Sequence, residues 1–166
     1  VSVFDNTPPE VAIIVPDSGY SIPELSELTV SWIATDNIEL DSVFIYFSSN
    51  MGGSFILMGG ETADSNHFAF NIPSDITNNA RIKLVAVDIY DNEDETFSDY
   101  FSVTDNTNPT VSITSLSTTN VGTSDDVTVN WDATDNWLLD SAFVDLFYAD
   151  TTYRVDTTNA ESGSIA

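Results

Sequence analysis

The sequence predicts an all-β protein built as tandem β-sandwiches of about 100 residues each, the second incomplete. Three observations carry this. A motif repeats at nearly constant spacing: Asp5-Asn6-Thr7-Pro8-Pro9 returns as Asp105-Asn106-Thr107-Asn108-Pro109, and Trp32 with Thr35-Asp36-Asn37 returns as Trp131 with Thr134-Asp135-Asn136. Short runs rich in Val, Ile, Phe and Tyr recur between clusters of Gly, Pro, Asn, Asp and Ser, and no stretch has helical periodicity. Apolar residues make up 42% of the chain, enough to fill a core despite a heavy acidic load.

Seven strands are expected in the first unit: residues 11–15 (A), 28–34 (B), 42–48 (C), 54–58 (C′), 67–72 (E), 81–88 (F) and 96–103 (G). Strand B alternates Leu28, Val30, Trp32 and Ala34 against Thr29, Ser31 and Ile33, so one face packs inward. Strand F alternates Ile82, Leu84 and Ala86 against Lys83, Val85 and Val87 in the same way. Met51-Gly52-Gly53 between two apolar runs predicts a hairpin turn, because glycine accepts the positive φ such turns need. No helix follows it, so this glycine pair is not a phosphate loop.

The alignment of the two copies divides the chain into residues 1–4, the tail of a preceding unit; residues 5–104, a whole unit; and residues 105–166, a partial one. Ser2-Val3-Phe4 matches Ser102-Val103-Thr104, and the second copy stops without counterparts of residues 80–103. The expectation is an excerpt of a longer array, the alternative being that a neighbouring chain supplies the absent strands.

Charge narrows the partners. Against 27 acidic residues there are three basic ones, Arg81, Lys83 and Arg154, for a net charge of −24. Nucleic acid and anionic membrane surfaces are excluded as partners, and cations are favoured. No apolar run is long enough for a membrane span, and no signal-peptide pattern opens the chain. Cysteine is absent, so no disulfide contributes.

Where the acids fall matters more than how many there are. Strand alternation brings three acidic segments to one end of the first sandwich: the linker Asp5-Asn6, the BC loop Asp36-Asn37, and the FG loop with Asp88, Asp91 and Asp94. The other end carries Asp17, Glu24 and Glu27 on one loop and Asp75, Asn78 and Asn79 on another. In an array that end faces the next linker, Asp105-Asn106, with the second unit's Asp135-Asn136 beside it.

Hard oxygen donors without Cys or clustered His select calcium, which takes six to eight oxygens in flexible geometry. Each carboxylate pair about 5 Å apart repels by roughly 1 kcal/mol even in water, a cost that a bound cation reverses. The expected ligands are therefore Asp5, Asn6, Asp36, Asn37, Asp88, Asp91, Asp94, Asp105, Asn106, Asp135 and Asn136. The plainer account of each is that Asp and Asn form turns by bonding their own backbone.

At Asp-Asn-Thr-Pro-Pro, Thr-Asp-Asn and Ala86-Val87-Asp88 with Asp91-Asn92, the chain resembles bacterial immunoglobulin-like repeat domains, over essentially its whole length. The segment Asp105-Asn106 followed by Pro109 is also similar to the cadherin junction, where an Asp-Asn-x-x-Pro element supplies calcium ligands between domains. The chain differs from antibody domains in lacking their cysteine pair and in placing Trp32 and Trp131 on strand B. The resemblance implies tandem immunoglobulin-like β-sandwiches in a large secreted or surface-anchored protein, such as an adhesin stalk, a surface layer or an extracellular filament. Its implied partners are neighbouring repeats of the same polypeptide.

Two other readings stay open at this level. The units polymerise with identical chains into a filament or lattice by exchanging strands, or the pair is an accessory carbohydrate-binding module of a secreted hydrolase. For the latter, Tyr46, Phe47, Phe55, Tyr90 and Tyr100 are candidate platform residues, although most are expected to pack. Trp137, in place of Ile38 beside the BC loop, is expected to be buried at the domain junction. Catalysis is not expected: the one histidine, His67, opens strand E without a nucleophile motif, and no pair of acids is singled out by environment.

Overall fold

The computed structural model describes residues 4–62, 64–118, 120, 122 and 126–158, and the backbone of 162–165. The reading of residues 1–4 as a separate tail falls almost wholly on residues 1–3, outside the described residues. The regular structure described is entirely β, with no helix. The chain divides into two compact units, Val1–Asn106 and Thr107–Ala166.

In the first unit the strands are β1 (Glu10–Val15), β2 (Ser21–Pro23), β3 (Glu27–Thr35), β4 (Leu40–Ser48), β5 (Ile56–Thr62), β6 (His67–Asn71), β7 (Thr77–Asp88), β8 (Glu93–Phe97) and β9 (Phe101–Thr104). One sheet runs β1-β3-β6, and the other runs β2-β9-β7-β4-β5 with β8 also on β7. Alternation decides which side chains lie between them. Leu28, Val30 and Trp32 of β3 face Val43, Ile45 and Phe47 of β4 and Ile82, Leu84 and Ala86 of β7, all buried in one core. The rings of Phe70 and Phe101 each lie 6.4 Å from Phe47, joining both sheets through edge and tilted contacts.

Three elements differ from the sequence expectation. The strand expected at 54–58 lies at Ile56–Thr62 because Asn50 holds the preceding loop. Its Oδ1 accepts from Ser54 N (3.0 Å) and its Nδ2 donates to Ser54 Oγ (2.9 Å). The turn itself sits at Met51-Gly52, both at positive φ, and Gly53 N donates to Asn50 O at 3.1 Å.

The strand expected at 96–103 is two strands, broken at Ser98. That side chain enters the ladder: its Oγ accepts from Ile82 N (2.9 Å), while its carbonyl accepts from Arg81 Nε (2.9 Å). The short β2, which runs parallel to β9 and buries Ile22, has too few residues to leave a period in the sequence. Glu24, expected on the same loop as Asp17 and Glu27, is buried, and its backbone N donates to Thr104 O.

The second unit holds β10 (Thr110–Leu116), β11 (Val129–Thr134), β12 (Ala142–Tyr148), β13 (Thr151–Thr158) and β14 (Ser162–Ile165). Its register repeats that of the first: Ile113 pairs with Trp131 as Ile13 pairs with Trp32, and each first strand is irregular just after that pair. Trp131 and Ala133 are buried, whereas Phe143, Leu146, Phe147 and Tyr148 of β12 are exposed. Trp137 is exposed at 54%, against the expectation of burial, and so is its counterpart Ile38 at 51%. At Ile38 the cause is visible: its N donates to Asp36 Oδ2 (2.8 Å), closing a turn that leaves the side chain in solvent.

Candidate metal centre

The segment before β1 and the loops β3–β4 and β7–β8 meet at one end of the first sandwich. Antiparallel pairing of β4 with β7 sets Leu40 opposite Asp88 and fixes where the two loops begin. Ile89 N donates to Glu39 O at 3.2 Å, which ties the loops together. Asn92 Nδ2 donates to Asp5 O at 3.3 Å, which ties the leading segment to them.

Each of the three carboxylates is aimed by its own backbone. Asp5 Oδ1 accepts from Thr7 N (3.0 Å) and Asp36 Oδ2 from Ile38 N (2.8 Å), both two residues on. Asp88 Oδ1 accepts from Tyr90 N and Asn92 N, both at 2.8 Å, and its Oδ2 accepts from Asn92 Nδ2 at 2.7 Å. The result is that Asp5, Asp36 and Asp88 each offer an oxygen within 4.8 Å of the others. Two oxygens there, Asp5 Oδ2 and Asp36 Oδ1, are shut off from solvent and have no hydrogen-bond donor.

The electrostatics follow from the geometry. Burial acts to raise the Asp88 pKa, but the bonds from the Asn92 side chain, the Asn92 backbone and the Tyr90 backbone outweigh it, so the carboxyl is held below its ordinary value. It is therefore charged at neutral pH beside two other carboxylates. A buried anionic oxygen without a donor is costly. The donor set is all oxygen and anionic, which suits calcium, with its flexible coordination geometry, better than zinc or copper.

Asp91 and Asp94 do not share the three-carboxylate group. Asn6 and Asn37 follow Asp5 and Asp36 in sequence and are exposed. Asp91 has a positive φ of 65° and makes the turn, its N donating to Asp88 O. Asp94 is exposed within β8. Asp105 and Asn106 are exposed at the end of the first unit. In the second unit Asn136 is exposed, while Asp135 repeats Asp36: its Oδ1 is likewise buried without a hydrogen-bond partner.

Asn92, which the sequence places in the FG loop but not among the expected ligands, holds both Asp88 and Asp5. His67 opens β6 as expected and is exposed, its Nδ1 lying 3.2 Å from Asn66 Oδ1.

No family model matches the chain, and no curated protein matches it. Among solved structures it is similar to the Clostridium thermocellum CbhA fibronectin(III)-like modules, with 15% identity and a TM-score of 0.44 over 94% of this chain and 78% of that one.

Proposed function

We propose that this chain is a structural module of an extracellular or cell-surface protein, in which calcium bound by Asp5, Asp36 and Asp88 fixes the leading segment to the end of a β-sandwich. One observation carries the reading: a residue of the segment before the first strand shares its cluster with two loops of the folded body, and two of the oxygens involved are buried without a donor. An ion there bridges the segment and the sandwich. Its role is mechanical, limiting how far the segment swings. The motif residues recur in the sequence at Asp105 and Asp135, and neighbouring repeats are the proposed partners.

At millimolar extracellular calcium, module sites of about 10⁻⁴ to 10⁻³ M are substantially filled, which adds on the order of 1 kcal/mol. Small-angle scattering of the chain in millimolar calcium and in excess chelator tests the reading. A narrower distribution of dimensions with calcium is expected. Identical scattering in the two conditions would remove the mechanical role.

A second reading, association of identical chains, is favoured by the exposed apolar residues Phe143, Leu146, Phe147 and Tyr148 on β12. Sedimentation velocity across a concentration series separates the two, since the stalk reading expects a monomer throughout.

A further inference from the structure

The solvent face of the second sheet in the first unit carries aromatic, basic and acidic side chains side by side. Cross-strand register places Leu57 of β5, Tyr46 of β4, Lys83 of β7 and Phe97 of β8 in one row. The next row is Gly60, Phe44, Val85 and Glu95. Four strands at about 4.8 Å spacing make this floor about 14 Å wide, wider than a single pyranose ring.

Gly60 flattens it: a Cβ there would stand 2.8 Å from Phe44 Cδ1, so the ring lies over bare backbone. Lys83 is pinned on the floor. Its ammonium is 4.7 Å from the centre of the Tyr46 ring, 5.4 Å from that of Phe55 and 3.6 Å from Glu95 Oε2. Above these residues is a cleft of about 520 Å³, lined at its β8 edge by Glu93, Asp94 and Glu95.

We propose that this cleft binds a neutral glycan. Sugars present an apolar C–H face that stacks on aromatic rings and a rim of hydroxyls that donate to carboxylates. The floor supplies Phe44 for stacking, Tyr46 carries the Lys83 ammonium over its ring, Glu93 and Glu95 supply carboxylate acceptors, and Lys83 supplies a fixed donor. Charge selects within the class. A net charge of −24 repels uronate-rich or sulfated polymers and nucleic acid, and the cation in the cleft is already neutralised by Glu95. The occupant is therefore an uncharged polyhydroxylated chain, bound at a place separate from the three-carboxylate cluster and independent of whether calcium binds there.

Affinity electrophoresis of the whole chain through gels containing soluble neutral polysaccharides tests this, the panel being a cellulose derivative, xylan, mannan, a β-1,3-glucan and starch. Retardation by at least one is expected, with at least a tenfold loss of affinity in Tyr46→Ala. Glu95→Ala, at an exposed position whose loss leaves the core intact, should weaken binding by a similar factor with unchanged melting. Absence of retardation across the panel would overturn the proposal. So would retardation that both variants retain, or binding of a basic peptide in preference to every glycan.

Discussion

Asp88 organises the candidate centre through three N–H bonds rather than through an ion pair, and this has a pH signature. A folded pKa below the unfolded value means that the stability it lends is fully present above the ordinary carboxylate pKa of about 4. That stability is lost as pH falls through the lower folded value. Asp88→Asn is expected to melt below wild type at neutral pH in calcium, and the gap should close below about pH 4. Equal melting at neutral pH would contradict the role. Asp5 and Asp36 were legible because Asp-Asn-Thr-Pro and Thr-Asp-Asn contexts mark loops whose positions strand order fixes, and Asp88 because it ends the alternating strand F before Asp91-Asn92. Asn92 was not, since its part depends on which way an amide points inside a hairpin. Asp91 and Asp94 were drawn in by proximity along the chain, whereas the turn at Asp91 and the start of β8 carry them out of the cluster.

Among the elements, β5 shows how strands are specified by partners as much as by their own residues. Gly59 and Gly60 have little strand preference, yet they sit inside β5 because Phe68 covers one and Phe44 the other. Gly59→Val is expected to cost about 1–3 kcal/mol in a urea titration, since a Cβ there collides with the Phe68 ring. An unchanged midpoint would mean that the ring does not rest on the glycine. This dependence on covering rings is why the extension of β5 through Gly59 and Gly60 left no trace in the sequence, whereas β3 and β7, whose inward residues alternate without interruption, were legible over most of their length. The break at Ser98 left no periodic trace either, because it arises from one hydroxyl that takes the place of a backbone acceptor.

The molecule as a whole carries a charge of −24, which resists compaction and gives any bound cation a large effect. Monovalent salt shortens the Debye length to about 10 Å at 0.1 M, so it should raise the melting temperature of the chelated protein and narrow the gain from calcium. Melting that ignores salt would show that the acids are too dispersed to matter. The repeat binds these scales together, because the registers Ile13 with Trp32 and Ile113 with Trp131 recur along with the acidic loops they position. The central claim is that Asp5, Asp36 and Asp88 form one calcium centre, and thermal melting of wild type and Asp36→Ala across a calcium titration tests it most directly. Wild type should rise in melting temperature and saturate near millimolar calcium, with a clearly smaller rise in Asp36→Ala, which keeps its fold in chelator. A flat wild-type curve, or the same rise in both proteins, would contradict it.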